Sequence, residues 1–134
     1  MKKFLSLLIL CTSPAWAQTS PLDGDWHGVS NGGSCNAPLD YQISIDTGIV
    51  DGTSIDTSAR GPVPNLKKTA PPAPTPGLWQ IHGVAKGGSF SLMALASVKG
   101  EDHRAGKLSV AVQGATLVIT EQGGCGRMAT LSRN

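Results

Sequence analysis

The sequence predicts an all-β domain, a single antiparallel meander of about eight strands closed or nearly closed into a small barrel. Three observations predict it. Glycine is abundant, at 17 of 134 residues, while aromatic side chains make up only 4%. Apolar and polar residues alternate in short runs, the period of a strand with one buried face, and no stretch sustains a helical period. Glycine-bearing turn sequences separate the runs as hairpin connections do.

Taken in chain order, strands are expected at residues 24–30, 39–46, 49–57, 77–84, 89–97, 106–112, 115–121 and 126–132. Thr47-Gly48, Lys86-Gly87-Gly88, Gln113-Gly114 and Gln122-Gly123-Gly124 offer glycine at the turns, where a positive φ is needed. Tyr41, Ile43 and Ile45 share one face of the second run. Leu108, Val110 and Val112 do so in the sixth, and Leu117 and Ile119 in the seventh. A meander of half-apolar strands must cover its edges or close on itself.

Residues 58–76 interrupt the meander. Pro62, Pro64, Pro71, Pro72, Pro74 and Pro76 cluster around Asn65-Leu66-Lys67-Lys68. Proline at this density cannot join a ladder. The segment reads as an extended, polyproline-like surface loop, longer than a hairpin connection requires. Its functional readings are a spacer, a lid over the barrel mouth, or a pre-extended contact for a protein partner.

Lys2 and Lys3, the apolar run 4–11 and the small-x-small tripeptide Ala15-Trp16-Ala17 form an export signal over residues 1–17, with Gln18 as the expected new N-terminus. The run is too short to span a bilayer. A lipid anchor on Cys11 is the rival reading, but Leu10 stands where that processing needs a small residue. The mature domain, residues 18–134, is therefore expected in the periplasm or secreted, without a membrane anchor.

Export has two consequences. The cysteines fall from three to two, Cys35 and Cys125, and disulfides persist in an oxidising compartment. Cys35 follows the first strand and Cys125 precedes the last, so a bond between them would staple a barrel seam. In the chain-entropy picture a loop of that length contributes about 4 to 5 kcal/mol. The formal charge of +2 also disappears with Lys2 and Lys3. A neutral domain lacks the clustered positive charge that a nucleic-acid partner demands. Residues 18–58 nonetheless carry six Asp and no Lys or Arg, whereas residues 59–134 carry nine basic and three acidic side chains. Attraction between neighbouring surface elements is the plainer reading, and steering of a charged partner the other.

Residues 27–34, His-Gly-Val-Ser-Asn-Gly-Gly-Ser, recur as residues 82–89, His-Gly-Val-Ala-Lys-Gly-Gly-Ser, and each copy follows a Gly-x-Trp. Two readings stay open: a duplicated half-barrel with His27 and His82 as paired ligands, or two strands that end in similar glycine turns.

Gly24-Asp25-Trp26 on the first strand and Arg133 ending the last resemble the Gly-x-Trp and C-terminal Arg pattern of calycins, the lipocalin and avidin-like barrels. The resemblance implies that Trp26 plugs the closed end and that Arg133 packs over it as a cation on a ring. Arg127 takes that place if the register differs. The further tryptophans with which avidins bracket biotin are missing, so biotin binding is not implied. The layout also resembles small exported bacterial proteins with a Gly-x-Trp first strand and a cysteine-bearing end, a likeness that carries no activity.

The residues assemble no recognisable catalytic set. His27, His82 and His103 have no local metal spacing. Asp46-Thr47-Gly48 looks like an aspartic-protease tripeptide, but a second carboxylate strand is absent. Asp51, Asp56, Glu101 and Asp102 pair with nothing by spacing. No serine elbow or phosphate loop is found. An enzyme reading remains open, and it requires polar groups that converge in one cleft. No cofactor is expected. The expectation is a non-catalytic exported protein that binds a small molecule in the barrel mouth, lined by Trp79, Tyr41, Phe90 and Leu92. The alternative is a protein-binding module, an exported inhibitor or accessory subunit acting through the proline-rich loop. Whether the interior is a cavity or fully packed is left open, because four aromatics may all be spent in filling the centre.

Overall fold

The computed structural model describes residues 20–57, 77–97 and 106–134. Their strands are β1 Gly24–Val29, β2 Leu39–Asp46, β3 Ile49–Asp56, β4 Leu78–Val84, β5 Ser89–Ala96, β6 Gly106–Gln113, β7 Thr116–Gln122 and β8 Met128–Arg133. Each strand pairs antiparallel with the next and β8 returns to β1, so the meander is a closed barrel, as its sequence predicts. The expected export signal with Cys11, the proline-rich segment 58–76 and the charged stretch around His103 lie outside the described residues.

Alternation decides which side chains fill the barrel. On β2 every second residue from Leu39 to Ile45 is buried, and on β7 and β6 the buried residues are Leu117 and Ile119, Leu108 and Val110. Tyr41, Ile81, Leu92, Leu117, Ile119 and Leu131 are sealed in the centre. A barrel of eight strands has room for side chains and little more, and these six occupy most of it.

The two ends differ. Three hairpin turns, β2–β3, β4–β5 and β6–β7, lie at the end where β1 begins. Two of them are two-residue turns, Thr47-Gly48 and Gly114-Ala115, and in the first both residues have positive φ, the primed geometry that matches strand twist. Leu22 folds beneath this end and its carbonyl accepts a hydrogen bond from Trp26 Nε1 at 2.9 Å. The Arg133 guanidinium stacks on the Trp26 ring, 4.7 Å from its centroid, and donates to the Pro21 carbonyl. Gly24 opens β1 at φ 137, a conformation that L side chains rarely adopt, which explains the glycine of the Gly-x-Trp pattern.

The other end is a mouth. There the β1–β2 connection makes a single 3-10 turn, Gly33–Cys35, and the Cys35–Cys125 disulfide fastens it to the β7–β8 loop with Cα atoms 5.4 Å apart. The seam between β1 and β8 is short. Only Trp26↔Arg133 and His27↔Ser132 pair within the strands, with an isolated bridge at Ser30↔Ala129. Gly28 sits between them, where an added Cβ would lie 2.3 Å from the Thr130 carbonyl oxygen. Nearer the mouth, Asn31 exchanges hydrogen bonds with the Met128 backbone at 3.0 Å through both its amide nitrogen and its Oδ1. The disulfide and the Arg133–Trp26 contact thus hold the seam at opposite ends, which is the staple expected of Cys35 and Cys125.

One strand boundary is corrected. The last strand starts at Met128 rather than 126, because Gly123, Gly124 and Gly126 all have positive φ and carry the chain through a loop first. Of the two readings of the echo of residues 27–34 in 82–89, the structure fits two strands that end in similar glycine turns. β1 and β4 run in opposite directions around the meander, so one copy leads into the mouth and the other into a turn at the plugged end. Both copies simply place a histidine outward and a glycine inward where the neighbouring strand crowds in; at Gly83 an added Cβ would lie 2.5 Å from Leu92 Cδ2. Asp40 and Asp51 bond to histidines, and Asp23 accepts from the backbone nitrogens of Ser20 and Gly48.

Candidate functional site

Near the mouth the inward positions stop being aliphatic. On β7 the inward series Leu117, Ile119 continues to Glu121, and on β8 the series Leu131, Ala129 continues back to Arg127. On β3 it reaches Ser54, and on β2 it passes through Tyr41. Chain direction alone therefore carries four polar side chains to the same end of the barrel. Between them lies a cavity of about 320 Å³.

Apolar side chains form much of its wall: Leu39, Trp79, Ala94 and Leu108, with Cys35 and Cys125 at its edge. Arg127, buried, and Glu121, half-buried, make an ion pair across the β7–β8 loop. Arg127 Nε donates to Glu121 Oε1 at 3.0 Å, and the Arg127 backbone nitrogen donates to Glu121 Oε2 at 3.1 Å. Their side chains are only 8% and 14% exposed. Arg127 Nη1 also donates to the Ala37 carbonyl at 2.9 Å, tying the β1–β2 connection to β8, and the guanidinium carbon lies 5.7 Å from the Trp79 ring centroid. Both carboxylate oxygens and the guanidinium are thus engaged within the protein, which is what two charges need if they are to stay ionised in a sealed wall.

Tyr41 is 1% exposed and lines the same cavity. Burial, and after it the nearby Glu121 carboxylate, push its phenol up to about 12, with Arg127 acting the other way. Burial penalises the charged phenolate, and a neighbouring negative charge adds to that penalty. The hydroxyl is therefore neutral at any ordinary pH. None of the hydrogen bonds among the described residues uses it, and no polar atom is sealed without a partner, so the hydroxyl keeps its opening to the cavity.

The structure thus brings Tyr41 and Trp79 to the mouth, as the sequence suggests, but not Phe90 or Leu92. β5 starts at the plugged end, so its inward residues Phe90 and Leu92 come before the cavity and Ala94 is the one that reaches it. Phe90 packs against the core and Leu92 lies within it. Glu121, Arg127 and Ser54 were not foreseen as site residues. The signal for them is phase: each continues an apolar inward series on its strand. Arg127, the alternative partner for Trp26, instead covers Trp79, and Arg133 takes the Trp26 ring as the resemblance implies.

His27 and His82 lie on the outer face. His27 Nε2 stands 2.9 Å from Asp40 Oδ1, and His82 Nδ1 stands 2.8 Å from Asp51 Oδ1. Two strands separate the histidines, and each is occupied with its own aspartate in solvent. They border a broad open groove with Gln42, Thr53 and Gln80. Among the described residues no three His, Cys, Asp or Glu side chains are grouped to hold a metal ion. Asp46-Thr47-Gly48 forms the β2–β3 turn. No helix among these residues is long and apolar enough to cross a membrane.

Comparison of the chain with protein-family models, with curated proteins and with solved structures finds no match in any of the three.

Proposed function

We propose that this chain is an exported, non-catalytic binding protein, periplasmic or secreted, that holds a small molecule in the barrel mouth. One observation carries the reading. The mouth keeps a cavity of about 320 Å³ with apolar walls, onto which Tyr41, Ser54 and Glu121 converge from three strands and Arg127 from the loop before β8. Hollows of this size, mostly apolar with a few placed polar groups, are the usual form of small-molecule sites. Filling the space with one larger core residue would have been the simpler way to stabilise the barrel, since voids weaken a packed interior. The disulfide supports the export half of the reading, because such bonds persist in oxidising compartments. The Arg133–Trp26 stack supports kinship with the calycin barrels.

Native mass spectrometry of the protein purified from an exporting host tests the proposal. A retained small molecule is expected, and its loss in Trp79→Ala, which removes a wall of the cavity, would assign it to the mouth. A ligand retained equally by Trp79→Ala would move the site elsewhere. A co-purified polypeptide released on deletion of residues 62–75, with no small molecule bound, would replace the proposal with a protein-binding role for the proline-rich loop.

A further inference from the structure

We infer that the molecule held in the mouth is an uncharged aromatic compound of about two fused rings bearing a carbonyl-type oxygen, and that the Tyr41 hydroxyl donates the hydrogen bond that orients it. The inference rests on the mouth being the binding site and adds the chemistry of what it takes.

Three features of the cavity select this class. The first is the hydroxyl itself. Tyr41 is 1% exposed, lines the cavity and uses its hydroxyl in no hydrogen bond among the described residues. A phenol that is buried and neutral has one proton to donate, and leaving such a donor without an acceptor is costly. Glu121, which lies near enough to act on the phenol electrostatically, makes its side-chain hydrogen bonds to Arg127 and none to the Tyr41 hydroxyl. The acceptor must therefore come from whatever occupies the cavity, a water in its absence and the ligand in its presence.

The second feature is charge. Among the described residues Arg127 and Glu121 offset each other within the wall at 3.0 Å, and the third charged lining residue, Lys107, is exposed to solvent. An anionic ligand would gain from Arg127 and lose to Glu121, and a cation the reverse, so neither recovers its own desolvation cost. Glu121 also lies close enough to Tyr41 to disfavour its ionised form, and a second anion beside that hydroxyl would meet the same repulsion. A neutral molecule meets no such penalty.

Size and wall chemistry are the third. A dry apolar cavity of about 150 Å³ holds one benzene, and this one measures about 320 Å³. Trp79 forms one side, with Leu39, Ala94 and Leu108 completing an apolar surface. A planar two-ring body matches that volume and stacks on an indole with the offset geometry that aromatic pairs prefer.

Equilibrium dialysis of the full-length, disulfide-bonded protein against three probes tests the assignment: 2-acetylnaphthalene, naphthalene and 2-naphthoate. The ketone is expected to bind about tenfold more tightly than naphthalene, the worth of one buried neutral hydrogen bond, and more tightly than the carboxylate. In Tyr41→Phe the advantage of the ketone over naphthalene, read as the ratio of the two affinities in the same variant, should vanish. The wild-type comparison stands by itself if that variant folds poorly. Equal binding of ketone and naphthalene would overturn the inference and leave the mouth as an apolar site. Tightest binding by the carboxylate would also overturn it. Failure of all three probes to bind would overturn the inference, and retention of a different small molecule in native mass spectrometry would show that the mouth reading itself survives.

Discussion

Alkaline pH should destabilise this protein through Tyr41 above all. The phenol sits at about 12 in the fold against an ordinary value of 10.0, so the folded state holds the proton more tightly than the unfolded chain does. The sign follows directly: the contribution is complete below pH 10 and is lost as the pH rises from 10 to 12. Each unit is worth about 1.4 kcal/mol, so the loss amounts to about 3 kcal/mol, a large share of the ~5–15 kcal/mol that holds a typical domain together. Within that window stability should fall by about 1.4 kcal/mol per pH unit. The measurement is unusually clean because Tyr41 is the single tyrosine of the chain, so tyrosinate absorbance reports it alone. The native protein should form tyrosinate only near pH 12 or as it unfolds, and the urea-denatured protein near pH 10. Urea unfolding below pH 10 and near pH 12 should show a stability drop in the wild type that exceeds the drop in Tyr41→Phe by about 3 kcal/mol. A native tyrosinate midpoint near 10, or identical drops in the two proteins, would refute the argument that Tyr41 is sealed beside Glu121.

Three other outcomes follow from named contacts. Replacing Cys35 and Cys125 together with serine should lower stability by about 4 to 5 kcal/mol, since the bond closes a loop of 90 residues; denaturant midpoints of the oxidised wild type and the double variant measure it. Gly28→Ala should cost on the order of 2 to 3 kcal/mol or prevent folding, because its Cβ would sit 2.3 Å from the Thr130 oxygen and 2.7 Å from Leu131 Cδ2 at the narrow seam; thermal unfolding beside an exposed glycine control, Gly88→Ala, checks it. Arg127→Met should destabilise by about 2 to 3 kcal/mol at neutral pH by leaving the half-buried Glu121 unpaired, whereas Arg127→Met with Glu121→Leu should recover most of that loss. A double variant no more stable than the single one would show that the pair is not the source.

Much of the architecture is legible in the one-dimensional pattern, for a physical reason. Strand period, turn glycines and the direction of an antiparallel meander are local properties, and alternation on runs such as Tyr41, Ile43, Ile45 tells which face is buried. The pairing of Cys35 with Cys125 is also legible, because the third cysteine, Cys11, falls in the segment that the sequence reads as an export signal. The site is less so. Phe90 and Leu92 carry the right composition for a pocket wall, but β5 enters the barrel at its plugged end, so their place along the barrel axis is set by topology. Glu121 and Arg127 look like ordinary surface charges beside a glycine-rich turn, and only their phase hints that they point inward.

What the chain's own pattern determined is therefore the all-β meander, its inward and outward faces and the staple across its seam, since these depend on neighbours within a few residues and on a choice of one disulfide. What only the folded barrel decided is the depth of each inward residue, which arginine lies over which tryptophan, and the meeting of Tyr41, Glu121, Arg127 and Trp79 around one hollow. Those depend on the register of every ladder at once, and a register is a relation between strands far apart in the chain.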